Sequence, residues 1–145
     1  MKFANTLVKN YLLDSQFILR LITGDDPKML IITKNIFEKA KNNELKLILT
    51  PIIIAESIYV LTSKALYNLS RSKTVIAFKI IINQKNIITE EFDVVIETLE
   101  NFENTNLDFT DCYLIAKKRV ENLENILTFD QKLKKILENE TESDL

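Results

Sequence analysis

Two apolar runs in this chain of 145 residues each finish on an aspartate. In "YLLDSQF" (11–17), Tyr11, Leu12 and Leu13 lead into Asp14; in "NILTFDQ" (125–131), Ile126, Leu127, Thr128 and Phe129 lead into Asp130. Burying an unpaired carboxylate is costly, so an acid at the end of a core-type run needs a use. Two further acids stand in comparable surroundings, Glu56 in "TPIIIAESIYVLTS" and Asp111 in "LDFTDCYLIAKKR". The chain has no histidine and one cysteine, Cys112. That removes Ser-His-Asp and Cys-His catalysis, every His-ligated metal site and any cysteine-cluster zinc site. Carboxylates, amides, hydroxyls, lysines and arginines remain. Carboxylates gathered in one pocket repel, and their pKa values separate unless a cation compensates. Hard oxygen ligands alone select Mg²⁺ or Mn²⁺.

The elements that must position these acids can be read from periodicity, since one glycine and two prolines give little punctuation. "NYLL" (10–13) reads as a short strand, and "SQFILRLIT" has helical spacing, with Phe17, Ile18, Leu21 and Ile22 on one face. Gly24 stops that helix, and Asp25 and Asp26 read as turn and cap acids before Pro27 and a helix over 27–42. "LKLIL" (45–49) is a strand, and Thr50-Pro51 starts a helix that presents Ile54, Ile58 and Leu61. A helix with a wide apolar stripe follows over 70–83, then a short strand "NIIT" (86–89) and an amphipathic helix "EEFDVVIETLENF". Asp108 opens a helix running to about Val120, "NILTF" (125–129) reads as a strand, and "QKLKKILE" is the last helix. A single domain over 1–137 and a polar, frayed tail over 138–145 are expected.

Strands alternating with helices imply an α/β domain with a short, mainly parallel sheet. In such a sheet the strand C-termini and the following helix N-termini share one edge, where ligands bind. Asp14 and Asp130 end the first and last strands. Asp111 lies in the first turn of the helix before that last strand, and Glu56 in the second turn of the helix from Pro51. The topology thus predicts that four acids distant in sequence meet at one edge. The isoleucines around Glu56 predict a buried helix, in which a glutamate needs a partner.

Hydrophobic residues make up 46% of the chain, enough for a sizeable core, and the net charge of −2 advertises no broad basic face. Tight non-specific nucleic-acid binding by phosphate neutralisation is therefore not expected. The lone cysteine fits a reducing compartment. "MKFANTLVKN" lacks a continuous apolar core, and "LILTPIIIA" is too short to span a bilayer, so a cytoplasmic protein is expected.

The segments "YLLDSQFILRLITGDDP", "TPIIIAESIYVLTS", "LDFTDCYLIAKKR" and "NILTFDQKLKKI", taken in order over about residues 9–137, resemble a PIN-domain endoribonuclease of the kind that serves as the toxin in VapBC toxin–antitoxin pairs. The resemblance implies a three-layer α/β/α fold and carboxylate-held Mg²⁺ or Mn²⁺. It also implies hydrolysis of single-stranded or looped RNA, and often a homodimer bound by an antitoxin protein. By position, Asp14, Glu56, Asp111 and Asp130 match the family's acidic set, both as metal ligands and as catalytic residues, and Thr128 matches a hydroxyl beside the last acid. Two positions depart from the pattern. Gln16 stands where a small polar residue, often Asn, is common; its longer amide would still reach the water shell of a metal. Cys112 stands where Ala is usual.

Plainer uses compete for each of these residues. Asp14, Asp108 and Asp130 all suit helix N-caps, worth about 1 kcal/mol each. Cys112 suits a small packed position. Lys117, Lys118 and Arg119 suit a solvated helix face, and Arg20 the C-terminal end of its helix. Other functions fit less well. An aspartyl phosphoryl-transfer enzyme wants a second Asp where Gln16 stands. A receiver domain wants an acid pair after the first strand and a lysine after the last. A structure-specific DNA nuclease wants insertions and a larger basic surface. A non-catalytic PIN scaffold is the alternative function, and it would be expected to have lost acids. The stripe of helix 70–83, with Val75, Ile76, Phe78, Ile80, Ile81 and Ile82, is expected to serve either the core or an interface with a second copy or an antitoxin helix.

Overall fold

The computed structural model describes residues 7–143. It forms two compact units, Met1–Phe92 and Asp93–Leu145. The first holds β1 (Lys9–Leu12), α1 (Ser15–Thr23), α2 (Pro27–Lys41), β2 (Leu45–Leu49), α3 (Pro51–Thr62), α4 (Arg71–Ile82) and β3 (Ile87–Thr89). The strands form one parallel sheet in the order β1-β2-β3, with Leu12 opposite Ile48 and Ile48 opposite Ile88. Strand β2 is central and alternates strictly: Leu45, Leu47 and Leu49 are buried while Lys46 and Ile48 are half-buried. Helices cross over between consecutive strands, as parallel pairing requires.

Local chemistry fixes the helix starts. Asp14, Asp26, Thr50 and Ser70 cap α1 to α4, each accepting a hydrogen bond from a first-turn backbone N–H. Pro27 and Pro51 occupy the first helical positions, where a missing N–H costs nothing. Gly24 ends α1 at φ +62°, a left-handed conformation that glycine adopts without penalty, and its N–H reaches Arg20 O at 2.9 Å. Asn86 Nδ2 donates to Ala40 O at 2.8 Å and to Asn43 Oδ1 at 2.9 Å, joining the turns that enter β2 and β3. Ile18, Leu47, Leu49, Ile54, Ile58, Leu61, Val75 and Phe78 are among the buried side chains of this unit.

The second unit holds α5 (Phe92–Asn104) from Asp93 onward, α6 (Phe109–Val120) and α7 (Gln131–Ser143). Asp108 caps α6 through a 2.8 Å bond from Asp111 N. Phe102 and Phe109 meet edge to face with centroids 6.1 Å apart. Arg119 of α6 bridges Glu97 of α5 and Glu140 of α7.

Two expectations need correction. Residues 125–129 form no strand: Ile126 N bonds Asn125 Oδ1 at 2.8 Å and Asp130 N bonds Thr128 Oγ1 at 3.0 Å. These local side-chain bonds take backbone donors that a ladder would use. The runs ahead of the acids are also largely exposed, with Leu12 at 73%, Leu127 at 98% and Phe129 at 96%. Helix α7 runs to Ser143, and residues 144–145 of the expected polar tail lie outside the described residues.

Candidate active site

In the first unit, Leu13 N still bonds Ile48 O at 2.9 Å, so Asp14 stands one residue past the parallel ladder. Its backbone is extended (φ −90°, ψ 159°), and Oδ1 accepts from Ser15 N at 2.8 Å. The neighbouring strand β2 delivers the chain to Thr50 and α3 at the same edge, and α1 packs on α3. Glu56 lies in the second turn of α3 and is exposed, contrary to the buried helix expected from the isoleucines around it. Helical spacing gives the reason: Ile54, Ser57, Ile58 and Leu61 turn inward, while Ile52 is 78% exposed on the other side with Glu56.

Gln16 follows in the first turn of α1, and its Oε1 accepts from Arg20 Nη2 at 2.9 Å. Arg20 also pairs with Asp25, which accepts hydrogen bonds from the Tyr67 hydroxyl and from Thr23 Oγ1, the latter at 2.8 Å. The Tyr67 and Thr23 hydroxyls, then Arg20, hold the Asp25 carboxyl down at about 2. Sequence reasoning gave Asp25 only a turn role and missed Tyr67, which is 42 residues away with no local pattern to mark it. Asp26 is the cap acid expected, accepting from Met29 N at 3.0 Å. An apolar cavity of about 270 Å³ in the same unit is lined by Leu12, Phe17, Ile36 and Leu45 among others. No acid lines it, so it is distinct from the carboxylates.

In the second unit, the charges of Asp108 and Asp130 act on Asp111. Asp111 is half-buried in the first turn of α6. Burial is the largest cause that pushes its carboxyl upward, followed by the charges of Asp108 and Asp130 and a hydrogen bond with Asp108. Every influence given on it raises, and no lysine or arginine among the described residues compensates. Asp130 accepts from Leu133 N at 3.0 Å and so caps α7, while Thr128 Oγ1 accepts from Asp130 N and fixes the approach. Cys112 is fully buried in α6, in keeping with a packing role. The basic run is committed to ion pairs: Lys117 to Glu121 at 2.8 Å, Lys118 to Glu140 at 3.7 Å, and Arg119 as above.

The donors of each unit are carboxylates, amides and hydroxyls, which suit a hard divalent cation, and Asp111 is an acid lacking a compensating charge among the described residues. Among the described residues, however, no group of three or more Asp, Glu and Cys side chains is close enough to hold a metal ion. The structure brings Asp108, Asp111 and Asp130 within electrostatic reach of one another and sets Asp14 and the start of α3 on one sheet edge. No described helix is long and apolar enough to cross a membrane.

The family model described as "PIN domain" matches residues 11–138. The seven helices and three-stranded parallel sheet of the described residues are consistent with the three-layer α/β/α fold of that family. No curated protein and no solved structure matches the chain.

Proposed function

Because the chain belongs to the PIN-domain family, whose members are generally nucleases needing a divalent metal, we propose that it is an Mg²⁺- or Mn²⁺-dependent endoribonuclease and the toxin of a type II toxin–antitoxin pair. The observation that carries the nuclease reading is Asp111, a half-buried carboxylate pushed upward by burial and two neighbouring aspartates with no counter-charge among the described residues. A folded protein keeps such an arrangement at a cost, which a cation offsets. Asp14, Glu56, Asp111 and Asp130 are the residues assigned to hold it. When bound, the ion supplies positive charge at the scissile phosphate and acidifies a water.

The chain's own residues do the rest. The caps of α1 and α7 orient Asp14 and Asp130, each of which uses one carboxylate oxygen for the cap and keeps the other for a ligand. Asp111 accepts no backbone bond of its own helix start, because Asp108 takes that task. Glu56, exposed, is assigned to orient the attacking water and take its proton. With no histidine in the chain, a 2′-hydroxyl attack run by a histidine acid–base pair is not available. Exposed Ile76 (54%) and Ile80 (60%) of α4 are assigned to a homodimer or an antitoxin helix. Buried Cys112, reduced, fits the cytoplasm.

Cleavage of a panel of single-stranded and hairpin RNAs with Mg²⁺, Mn²⁺ or excess EDTA tests the reading. Asp14→Asn and Asp111→Asn are expected to lower cleavage by orders of magnitude without unfolding the protein, since they remove charge and not volume. Undiminished cleavage by either variant, or by wild type in EDTA, would sink it and leave the non-catalytic scaffold.

A further inference from the structure

Gln16 is an exposed amide two residues beyond Asp14, and one contact decides which way it faces. Its Oε1 accepts from Arg20 Nη2 at 2.9 Å, one helical turn on. A guanidinium has five donors and no acceptor, so only the amide oxygen can face it. The Nε2 amino group therefore points away from Arg20, and it meets no acceptor among the described residues.

Arg20 is itself held. Its Nη1 is paired with Asp25, whose other carboxylate oxygen accepts from the Tyr67 hydroxyl of the α3–α4 connection. Thr23 Oγ1 adds a bond to Asp25 at 2.8 Å, and the Arg20 side chain is only 17% exposed. The guanidinium Nε is buried without a partner among the described residues, a cost the protein bears to keep both Nη groups on Asp25 and Gln16. A residue placed merely to suit the helix C-terminus would not need such a setting.

We propose that Gln16 is a substrate-binding residue whose Nε2 amino group donates a hydrogen bond to a non-bridging phosphate oxygen of the nucleic-acid strand, and that Arg20 is its positioning residue. The proposal rests on the nuclease reading above and adds to it a phosphate contact that the acids cannot make. The bond from Arg20 takes one of the two lone pairs of Oε1 and leaves the Nε2 donor as the group wholly free for a ligand. Gln16 thus supplies a donor, which matches an anionic oxygen and repels nothing.

The test uses the 145-residue chain and a single-stranded RNA, cleaved with Mn²⁺ and left intact in excess EDTA. Gln16→Met removes the donor from an exposed side chain and leaves the fold alone. Gln16→Glu keeps the acceptor for Arg20 but replaces the donor with a negative charge. A hydrogen bond to a charged oxygen is worth enough for about a tenfold loss. Gln16→Met is therefore expected to raise the Kd for the RNA in EDTA and the KM for cleavage with Mn²⁺ about tenfold, with kcat little changed. Gln16→Glu is expected to raise both further. The Mn²⁺-induced rise in melting temperature should be the same in these variants as in wild type. Arg20→Met is expected to weaken RNA binding less than Gln16→Met does, and to add nothing in the Gln16→Met background. Wild type that cleaves RNA alongside a Gln16→Met variant with unchanged Kd and KM overturns this proposal alone. An equal loss from Arg20→Met in both backgrounds overturns the positioning role. Wild type that neither binds nor cleaves RNA overturns the nuclease reading and this proposal with it.

Discussion

Neutralising Asp111 should leave the metal-free protein as stable as wild type, or slightly more so, while abolishing most of the stabilisation that Mn²⁺ confers. Burial and the charges of Asp108 and Asp130 raise the folded-state carboxyl above its ordinary value of 3.8. A raised value means that the native state holds this proton to higher pH than the unfolded chain does. The metal-free protein therefore loses stability from this group as pH rises from the ordinary carboxylate range through the raised value, and nothing more above it. Asp111→Asn lacks that pH-dependent segment. At neutral pH the gain is small, because the negative charge in the first turn of α6 also interacts favourably with the helix dipole by about 0.3–1 kcal/mol. A net change within about 0.5 kcal/mol is expected, or roughly 2 °C for a chain of this size. The metal term is larger. An ion at 100 times its Kd stabilises the folded state by about 2.7 kcal/mol, or roughly 8 °C. Were Asp111→Asn to weaken binding a hundredfold, the same concentration would give about 0.4 kcal/mol, near 1 °C. Thermal melts at neutral pH with EDTA and with Mn²⁺ read this contrast directly. Equal Mn²⁺ shifts in the two proteins would place the ion elsewhere and refute the reasoning.

Phe78 of α4 is fully buried whereas Ile80 is 60% exposed, so the two should respond differently. Phe78→Ala should cost about 3–5 kcal/mol in urea unfolding, while Ile80→Glu should stay folded and, if α4 forms the homodimer, sediment as a monomer. Asp130→Ser should keep the α7 cap, since serine caps about as well as aspartate, and so retain stability while losing RNA cleavage; equal activity would reduce Asp130 to a cap. Tyr67→Phe removes the largest influence that lowers Asp25. The Asp25 contribution is present above the ordinary value of 3.8 and lost as pH falls through about 2, so the variant should unfold at higher pH on acid titration followed by circular dichroism.

What the sequence made legible is what local chemistry decides. Asp26, Thr50 and Asp108 are caps because each sits ahead of a helix and bonds a backbone N–H three residues on. The alternation in "LKLIL" marks β2 because one pleat face is buried. Long-range partners were not legible. Nothing in the spacing links Asp25 to Tyr67, and an isoleucine-rich run does not reveal which side of α3 carries Glu56. The stripe on α4 divides for the same reason: Val75, Phe78, Ile81 and Ile82 turn inward, and Ile76 and Ile80 do not. In "NILTF" the apolar pattern suggested a strand, but a strand needs a ladder, and Asn125 and Thr128 offer the backbone bonds of their own. The acids themselves were posed as either caps or metal ligands; the geometry shows the caps of Asp14 and Asp130 and leaves the ligand role to the proposed function. Asp14 and Asp130 each place Oδ1 on a helix N–H, and Oδ2 of each meets no protein partner among the described residues. A cap fixes the rotamer of the carboxylate and with it the direction of the second oxygen, so a cation held as proposed would find that oxygen already oriented by the bond that starts the helix.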